Sequence, residues 1–252
     1  MPADPEVRPT TRLRLVHDSM DVDGGSRPVR LSAELSPLFA DMPMSDCSKV
    51  VSTAWTTMFK PRQTIFFAGD PIKEILVLTE GSVKMTQPEE DGRAVILGLE
   101  GPGGVMGSLG FEEWDKHYST AQALISCKTL NWSVPTFGAL SECFPLLGRN
   151  MIRIVGQRLR VLECRFLEIS SLRAAPRLAR ELVRLVSQIG RRAHDALEIN
   201  LSQEELAQMT AIRTFTVSRL LKSWERQGIV RLRPQSVMVL DLLCLSAITE
   251  LA

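Results

Sequence analysis

Between Arg62 and Val134 the apolar residues come in short runs, QTIFFA, EILVLTE, SVKMTQ, AVILGLE and TAQALI, separated by GDP, EGS, EDGR and GPGG. Such runs, rich in β-branched and aromatic residues and broken by glycine, proline and aspartate, read as strands. Many of them at close spacing predict an all-β roll or barrel. Asp91-Gly92 is the clearest hairpin turn, since glycine adopts the positive φ that such turns require. After Pro145 the period lengthens. Ile152, Val155, Leu159, Leu162, Phe166 and Ile169 recur at steps of three and four, with Arg153, Arg158, Arg160, Glu163, Arg165 and Glu168 off that line. One continuous helix is predicted, and two arrangements would bury its stripe: pairing with the same helix of a second copy, or lying along its own domain. The narrow stripe and charged flanks favour the dimer seam.

A further helix, roughly Pro176 to Arg192, precedes the stretch LSQEELAQMTAIRTFTVSRLLKSWERQGIV, Leu201 to Val230. Ser202 and Glu205 have the spacing of a capping box, in which each side chain bonds the other's backbone N–H, and this sets the start of a helix. Leu206, Ala207 and Met209 give that helix a buried face, MTAIR makes a turn, and Val217, Leu220, Leu221 and Trp224 line the inner face of a second helix. Thr214, Ser218, Arg219, Lys222 and Arg226 then project outward. After Gly228, IVRLRPQSVMVLD reads as two strands around Pro234-Gln235-Ser236, a small wing. Helix, tight turn, helix and wing is the arrangement that lets the second helix enter the DNA major groove. From Leu201 to Ser236 six basic residues (Arg213, Arg219, Lys222, Arg226, Arg231, Arg233) stand against three acidic ones (Glu204, Glu205, Glu225). All six lie at or beyond the start of the second helix, where DNA phosphates would be met.

Residues 1–34 hold Pro2, Pro5, Pro9, Pro28 and Gly24-Gly25 with little apolar periodicity, so they predict a mobile tail that cannot bury enough surface to offset its ordering entropy. From about residue 35 to 60, LSPLFADMPMSDCSKVVSTAWTTMF predicts one or two short helices, starting at Ser36-Pro37 and Ser45-Asp46. The reading is an α+β chain of four parts: tail 1–34, β-roll 35–145, long dimerisation helix 146–172 and winged helix-turn-helix 173–252.

Composition narrows the function classes. The 252 residues, 44% hydrophobic and 23% charged, are globular in character, and a net charge of +1 excludes no partner because local charges cancel. No apolar run approaches a membrane span and the N-terminal stretch has no secretory h-region, so a cytoplasmic protein without a membrane partner is expected. Cys47, Cys127, Cys143, Cys164 and Cys244 are scattered with no C-x-x-C, which predicts buried or free thiols and no metal site. G-x-S-x-G, a Walker loop, H-E-x-x-H and a dinucleotide loop are all missing, so no catalysis is expected. The glycines of GPGGVMG, 101 to 107, serve turns of the roll.

Tail, roll, long helix and winged helix-turn-helix, in this order, resemble the cyclic-AMP receptor protein / fumarate-nitrate reductase regulator (CRP/FNR) family of bacterial transcription factors over about residues 35 to 245. The likeness rests on FFAGDPIKEILVLTEGSVKM, with Gly69-Asp70 and Gly81 at the family's turns, on MGSLGFEE and YSTAQAL, and on LSQEELAQMTAI and TVSRLLKSWERQGIV. It implies a cyclic-nucleotide-binding-like jelly roll, a homodimer, a palindromic site in double-stranded DNA and RNA polymerase as a second partner. It also implies an effector pocket around Met106, Gly107, Ser108, Leu109, Tyr118, Ser119 and Thr120. A dimer whose recognition helices stand about 34 Å apart reaches successive major grooves, and an effector acts by favouring that spacing.

The departures bear on the effector. Cyclic-AMP binders of the family carry a G-E pair in the phosphate cassette and R-S or R-T further on. Here Gly107 is followed by Ser108 and the later pair aligns with Tyr118-Ser119. A buried phosphate without its cation is poorly compensated, so cyclic AMP is not expected. The oxygen-sensing branch holds an iron–sulfur cluster on clustered N-terminal cysteines plus one in the roll. Only Cys47 precedes this roll and Trp132 takes the roll position, so four thiolates do not converge and that cluster is not expected either. Haem stays open, with His17, His117 or Cys47 as axial candidates, as do thiol-based redox control and a regulator active without any effector. An alternative of another class is an interaction module whose C-terminal helices dock a protein.

In the family's recognition helix a glutamate and an S-R pair read bases. Aligned on TVSRLL, Ser218 and Arg219 match the pair, Thr214 precedes the glutamate's place, and Phe215 occupies it. Arg219 keeps the fork that donates two bonds to guanine O6 and N7. Phe215 cannot accept from cytosine N4, which leaves it against a thymine methyl or tucked between the two helices.

Overall fold

A computed structural model describes residues 36–88, 94–106, 116–193 and 195–250. The tail predicted over 1–34 and the turn predicted at Asp91-Gly92 lie outside them. Ser36 accepts from the Leu38 amide and caps a single 3-10 turn, Pro37–Phe39, and α1 (Met44–Ser52) follows. The strands of the roll are β1 (Trp55–Phe59), β2 (Thr64–Phe66), β3 (Glu74–Glu80), β4 (Val83–Pro88), β5 (Ala94–Glu100), β6 (Val105–Met106), β7 (Thr120–Ala123) and β8 (Cys127–Ser133). They form two four-stranded sheets, ordered β1-β8-β3-β6 and β2-β7-β4-β5.

The unbroken apolar run EILVLTE becomes β3 because that strand is buried on both faces. Ile75 and Val77, with Leu130 and Trp132 of β8, pack toward α1 and the 3-10 turn, while Leu76 and Leu78 meet Phe66, Val83 and Ala121 in a second cluster. Gly81, at φ 97°, turns β3 into β4, and a Cβ there would sit 2.5 Å from the Ser126 carbonyl oxygen, so no side chain fits. The helical reading of 35–60 is corrected at its end. Trp55–Phe59 is a strand that pairs with β8 from Trp55 opposite Asn131 to Phe59 opposite Cys127. Its W-T-T-M-F sequence suits a pleated, half-buried edge better than a helix turn. The strands β6 and β8 and the helix α2 (Val134–Cys143) add to the predicted set.

α3 (Pro145–Ser171) is the one 27-residue helix that the change of period predicts. Its first turns lie on the roll: Leu147, Met151 and Ile154 join Phe39 and Trp132, and the Asn150 amide donates to the carbonyls of Leu38 and Ala40. The heptad stripe occupies a different face. Ile152, Val155, Leu159, Leu162, Phe166 and Ile169 are 45–74% exposed in the single chain.

The C-terminal part runs α4 (Ala174–Ile189), β9 (Arg191–Ala193), β10 (Ala196–Ile199), α5 (Gln203–Thr210), α6 (Thr214–Arg226), β11 (Val230–Arg233), β12 (Ser236–Val239) and α7 (Leu242–Ile248). The predicted wing, β11 and β12, is extended by β9 and β10, which were not anticipated, into a four-stranded sheet ordered β11-β12-β10-β9. Leu178, Leu182 and Leu185 of α4 pack with Leu206, Val217, Leu221 and Trp224, and Ile96 and Leu99 of β5 enter the same cluster. The roll and the helix-turn-helix therefore share a hydrophobic core.

Candidate nucleic-acid interface

The capping box forms as the spacing predicts. Ser202 Oγ accepts from the Glu205 amide at 3.2 Å, and Glu205 Oε2 accepts from the Ser202 amide at 2.9 Å. α5 ends at Ala211, whose left-handed backbone (φ 51°, ψ 40°) redirects the chain, and α6 starts immediately after Arg213. Val217, Leu221 and Trp224, at helical spacing, point inward and fix the rotation of α6. Leu220 is only half-buried at the margin of that face. The opposite face presents Arg213, Thr214, Phe215, Arg219, Lys222 and Arg226, all exposed, with Ser218 half-buried among them and Arg231 exposed on β11. Phe215 is 78% exposed, which rules out its burial between the two helices.

The electrostatics of this face follow from where the acids go. Glu225 turns to the wing and accepts from the Leu232 amide at 2.8 Å, and Glu205 is held by its own cap and by Lys84. Arg213, Arg219, Lys222, Arg226 and Arg231 make no ion pair among the described residues, whereas Arg233 is taken by Glu198 at 3.7 Å. Guanidinium and ammonium groups on one face, with no carboxylate at ion-pairing distance among the described residues, suit a polyanion.

α5 is also gripped by the roll. Lys84 Nζ of β4 donates to Glu205 Oε1 at 2.6 Å across 121 residues of sequence, both side chains being about four-fifths buried. Burial alone would raise the Glu205 carboxyl, but Lys84 and Ser202 outweigh it and hold the group below its ordinary value of 4.5. A carboxyl depressed in the folded state contributes stability above its unfolded pKa, and that contribution is lost as pH falls through the folded one. Melting temperatures of the parent chain and Lys84→Met should therefore differ at neutral pH and converge well below pH 4.5. A gap that persists in acid would remove the ion pair from the explanation.

A cavity of about 430 Å³ lies where β5 faces α3, lined by Met85, Leu97, Leu99, Val161 and Leu162 among others, and by Gln188 of α4. Arg158 and Arg165 reach it from α3, each already engaged. Arg158 donates to Glu100 Oε1 at 2.6 Å and to the Val105 carbonyl, and Arg165 donates to the Leu97 carbonyl at 2.7 Å and to Glu181 at 2.5 Å. Burial pushes the Glu100 carboxyl up against the pull of Arg158. Of the effector residues expected from sequence, Ser119 lines this cavity. Met106 is buried beside β3, Thr120 Oγ1 accepts from the Ala68 amide, Tyr118 is 77% exposed, and Gly107, Ser108 and Leu109 lie outside the described residues. The β5, α3 and α4 contributions carried no motif and were missed.

The axial candidates are separated by packing. Cys47 is buried in the α1 cluster with its thiol raised by burial. His117 is stacked on Phe66 with ring centroids 3.7 Å apart, and burial lowers its pKa despite Asp70. His17 lies outside the described residues. Trp132, in the position the oxygen-sensing branch gives to cysteine, is fully buried and donates to the Val50 carbonyl at 3.0 Å.

Comparison with known proteins agrees with this architecture. Residues 176–248 match the family described as Crp-like helix-turn-helix domain, and residues 56–142 match the Cyclic nucleotide-binding domain. The CRP-like cAMP-activated global transcriptional regulator of Mycobacterium tuberculosis is 24% identical over 73% of this chain and 83% of its own length. The cAMP-activated global transcriptional regulator Vfr of Pseudomonas aeruginosa is 26% identical over 76% and 92%. Among solved structures, a CRP/FNR-family regulator from Thermus thermophilus aligns at TM-score 0.66 and 22% identity, covering 78% of this chain and 98% of its own. FixK2 from Bradyrhizobium japonicum aligns at TM-score 0.66 and 19% identity, covering 79% and 98%. These relatives are regulators rather than enzymes. With a β-roll, a long helix and a winged helix-turn-helix in the same order, the chain belongs to the CRP/FNR family of transcription regulators and carries that family's DNA-binding domain.

Proposed function

We propose that the protein is a homodimeric, sequence-specific regulator that binds a palindromic DNA site in the cytoplasm and is set by a small molecule in the β5–α3 cavity, with RNA polymerase as its partner on DNA. The observation that carries this reading is the outward face of α6, where Arg213, Phe215, Arg219 and Lys222 are exposed while Val217, Leu221 and Trp224 lock the helix from behind. The open stripe of α3 supports the dimer, because six large apolar residues in a heptad line gain most by meeting a copy of themselves.

The effector we propose is not a cyclic nucleotide. The two arginines at the cavity already hold Glu100 and Glu181, so a phosphate would have to displace a carboxylate to gain either cation. An uncharged, mostly apolar molecule would leave both pairs intact. It would press on β5, Arg165 and Gln188, which also adjoin the helix-turn-helix, so occupancy and the placement of α6 are mechanically linked. Among the described residues no helix is long and apolar enough to cross a membrane.

The test is to select a site from randomised duplexes and measure affinity against random DNA. Arg219→Ala should cost about 1–3 kcal/mol of discrimination at one guanine per half-site. Equal losses on selected and random duplexes would assign Arg219 to phosphate. Absence of any selected site would favour a protein-docking module instead.

A further inference from the structure

We infer that Phe215 reads the C5-methyl group of a pyrimidine, so that the protein's half-site contains a thymine recognised by its methyl. This rests on the proposed entry of α6 into the major groove. Phe215 is the second residue of α6, and residues at the N-terminal end of a recognition helix are the ones that meet base edges. It is 78% exposed, and the inner face behind it is already filled by Val217, Leu221 and Trp224, so its ring has no place in the chain's own core. Along the outward face from Arg213 to Lys222 there are guanidinium, ammonium and hydroxyl groups but no carboxylate or carboxamide. Those missing groups are the ones that select cytosine N4 or adenine N6. The apolar feature that the major groove offers a phenyl ring is the thymine methyl.

Geometry places the contact. Phe215 precedes Arg219 by four residues, a rise of about 6 Å along the helix. With base steps of roughly 3.4 Å, the methylated pyrimidine lies one or two steps from the guanine assigned to Arg219. The ring does not distinguish how the methyl is attached, so 5-methylcytosine should serve where plain cytosine does not.

The experiment uses the full chain and the selected palindrome, with binding followed by fluorescence anisotropy. Each thymine of the half-site is replaced in turn by deoxyuridine, which removes only the methyl. We expect one position, one or two steps from the guanine, to weaken binding roughly three- to fivefold, the worth of about one buried methyl. At that position 5-methylcytosine should outbind cytosine by a similar factor. Phe215→Ala should erase both differences while keeping the guanine dependence, and Phe215→Leu should keep part of them. If deoxyuridine is tolerated at every position, or if Phe215→Ala still discriminates, the methyl contact is overturned and the DNA-binding reading stands. If no duplex is preferred over another, that reading falls as well.

Discussion

Leu159→Glu combined with Phe166→Glu should give a monomer whose affinity for a palindromic site is lower by on the order of a hundredfold or more, since two half-sites held by one dimer gain that much from their linkage. Both residues sit on the open stripe of α3, 56% and 70% exposed, one heptad apart and away from the face packed on the roll. Leu162 is the less useful choice because it also lines the cavity. Glutamates at two seam positions one heptad apart place like charges face to face in an apolar interface, and the helix ends by exposing its stripe to water. The fold of each chain should survive, because Leu147, Met151 and Ile154 hold α3 to the roll. Leu167→Glu, at an equally exposed position off the stripe, is the control and should remain dimeric. Sedimentation and duplex titration read both quantities. A double variant that stays dimeric would refute the seam.

Gly101→Ala should separate the helix-turn-helix from the roll. Gly101 follows β5, and a Cβ there would lie 1.8 Å from the Gln188 carbonyl oxygen and 3.0 Å from its carbon. Both parties are backbone, so neither can swing aside as a flexible side chain would, and the last turn of α4 must move. That movement opens the packing of Ile96 and Leu99 against the C-terminal cluster. Overpacking of this kind costs about 1–3 kcal/mol, and a contact between two backbones belongs at the upper end. Hydrogen exchange should quicken in α4 and α5 while β3 and β8, whose clusters lie elsewhere, stay protected. Unchanged exchange in α4 would mean that the docking is not held at this point.

What the sequence discloses is largely what is local. The Ser202–Glu205 cap is a signal four residues wide, the switch from period two to period three-and-four marks the passage from roll to α3, and the two-residue turn of the wing is written in Pro234-Gln235. The reading of 35–60 failed at Trp55–Phe59 because a five-residue strand with two threonines becomes a strand only by pairing with β8, whose partners lie from Cys127 to Asn131. The cavity was out of reach for the same reason. Glu100, Arg158, Arg165 and Gln188 come from three elements and have no shared motif, and their meeting depends on how α3 and α4 lie on β5. Phe215 marks the boundary between the two kinds of information. The alignment on TVSRLL singled it out, but only its exposure decided between a core residue and a contact residue.

The shared core has a practical consequence for anyone who wants the C-terminal part by itself. Cutting the chain between α3 and α4 removes Ile96 and Leu99 from the cluster around Leu182 and Leu206 and leaves Glu205 without Lys84. The excised piece would carry a raw apolar surface beside its first helix and tend to self-associate. A chimera that places it behind another sensor must supply two apolar side chains on the strand that meets α5 and a lysine on the neighbouring strand, or replace the exposed positions with polar ones.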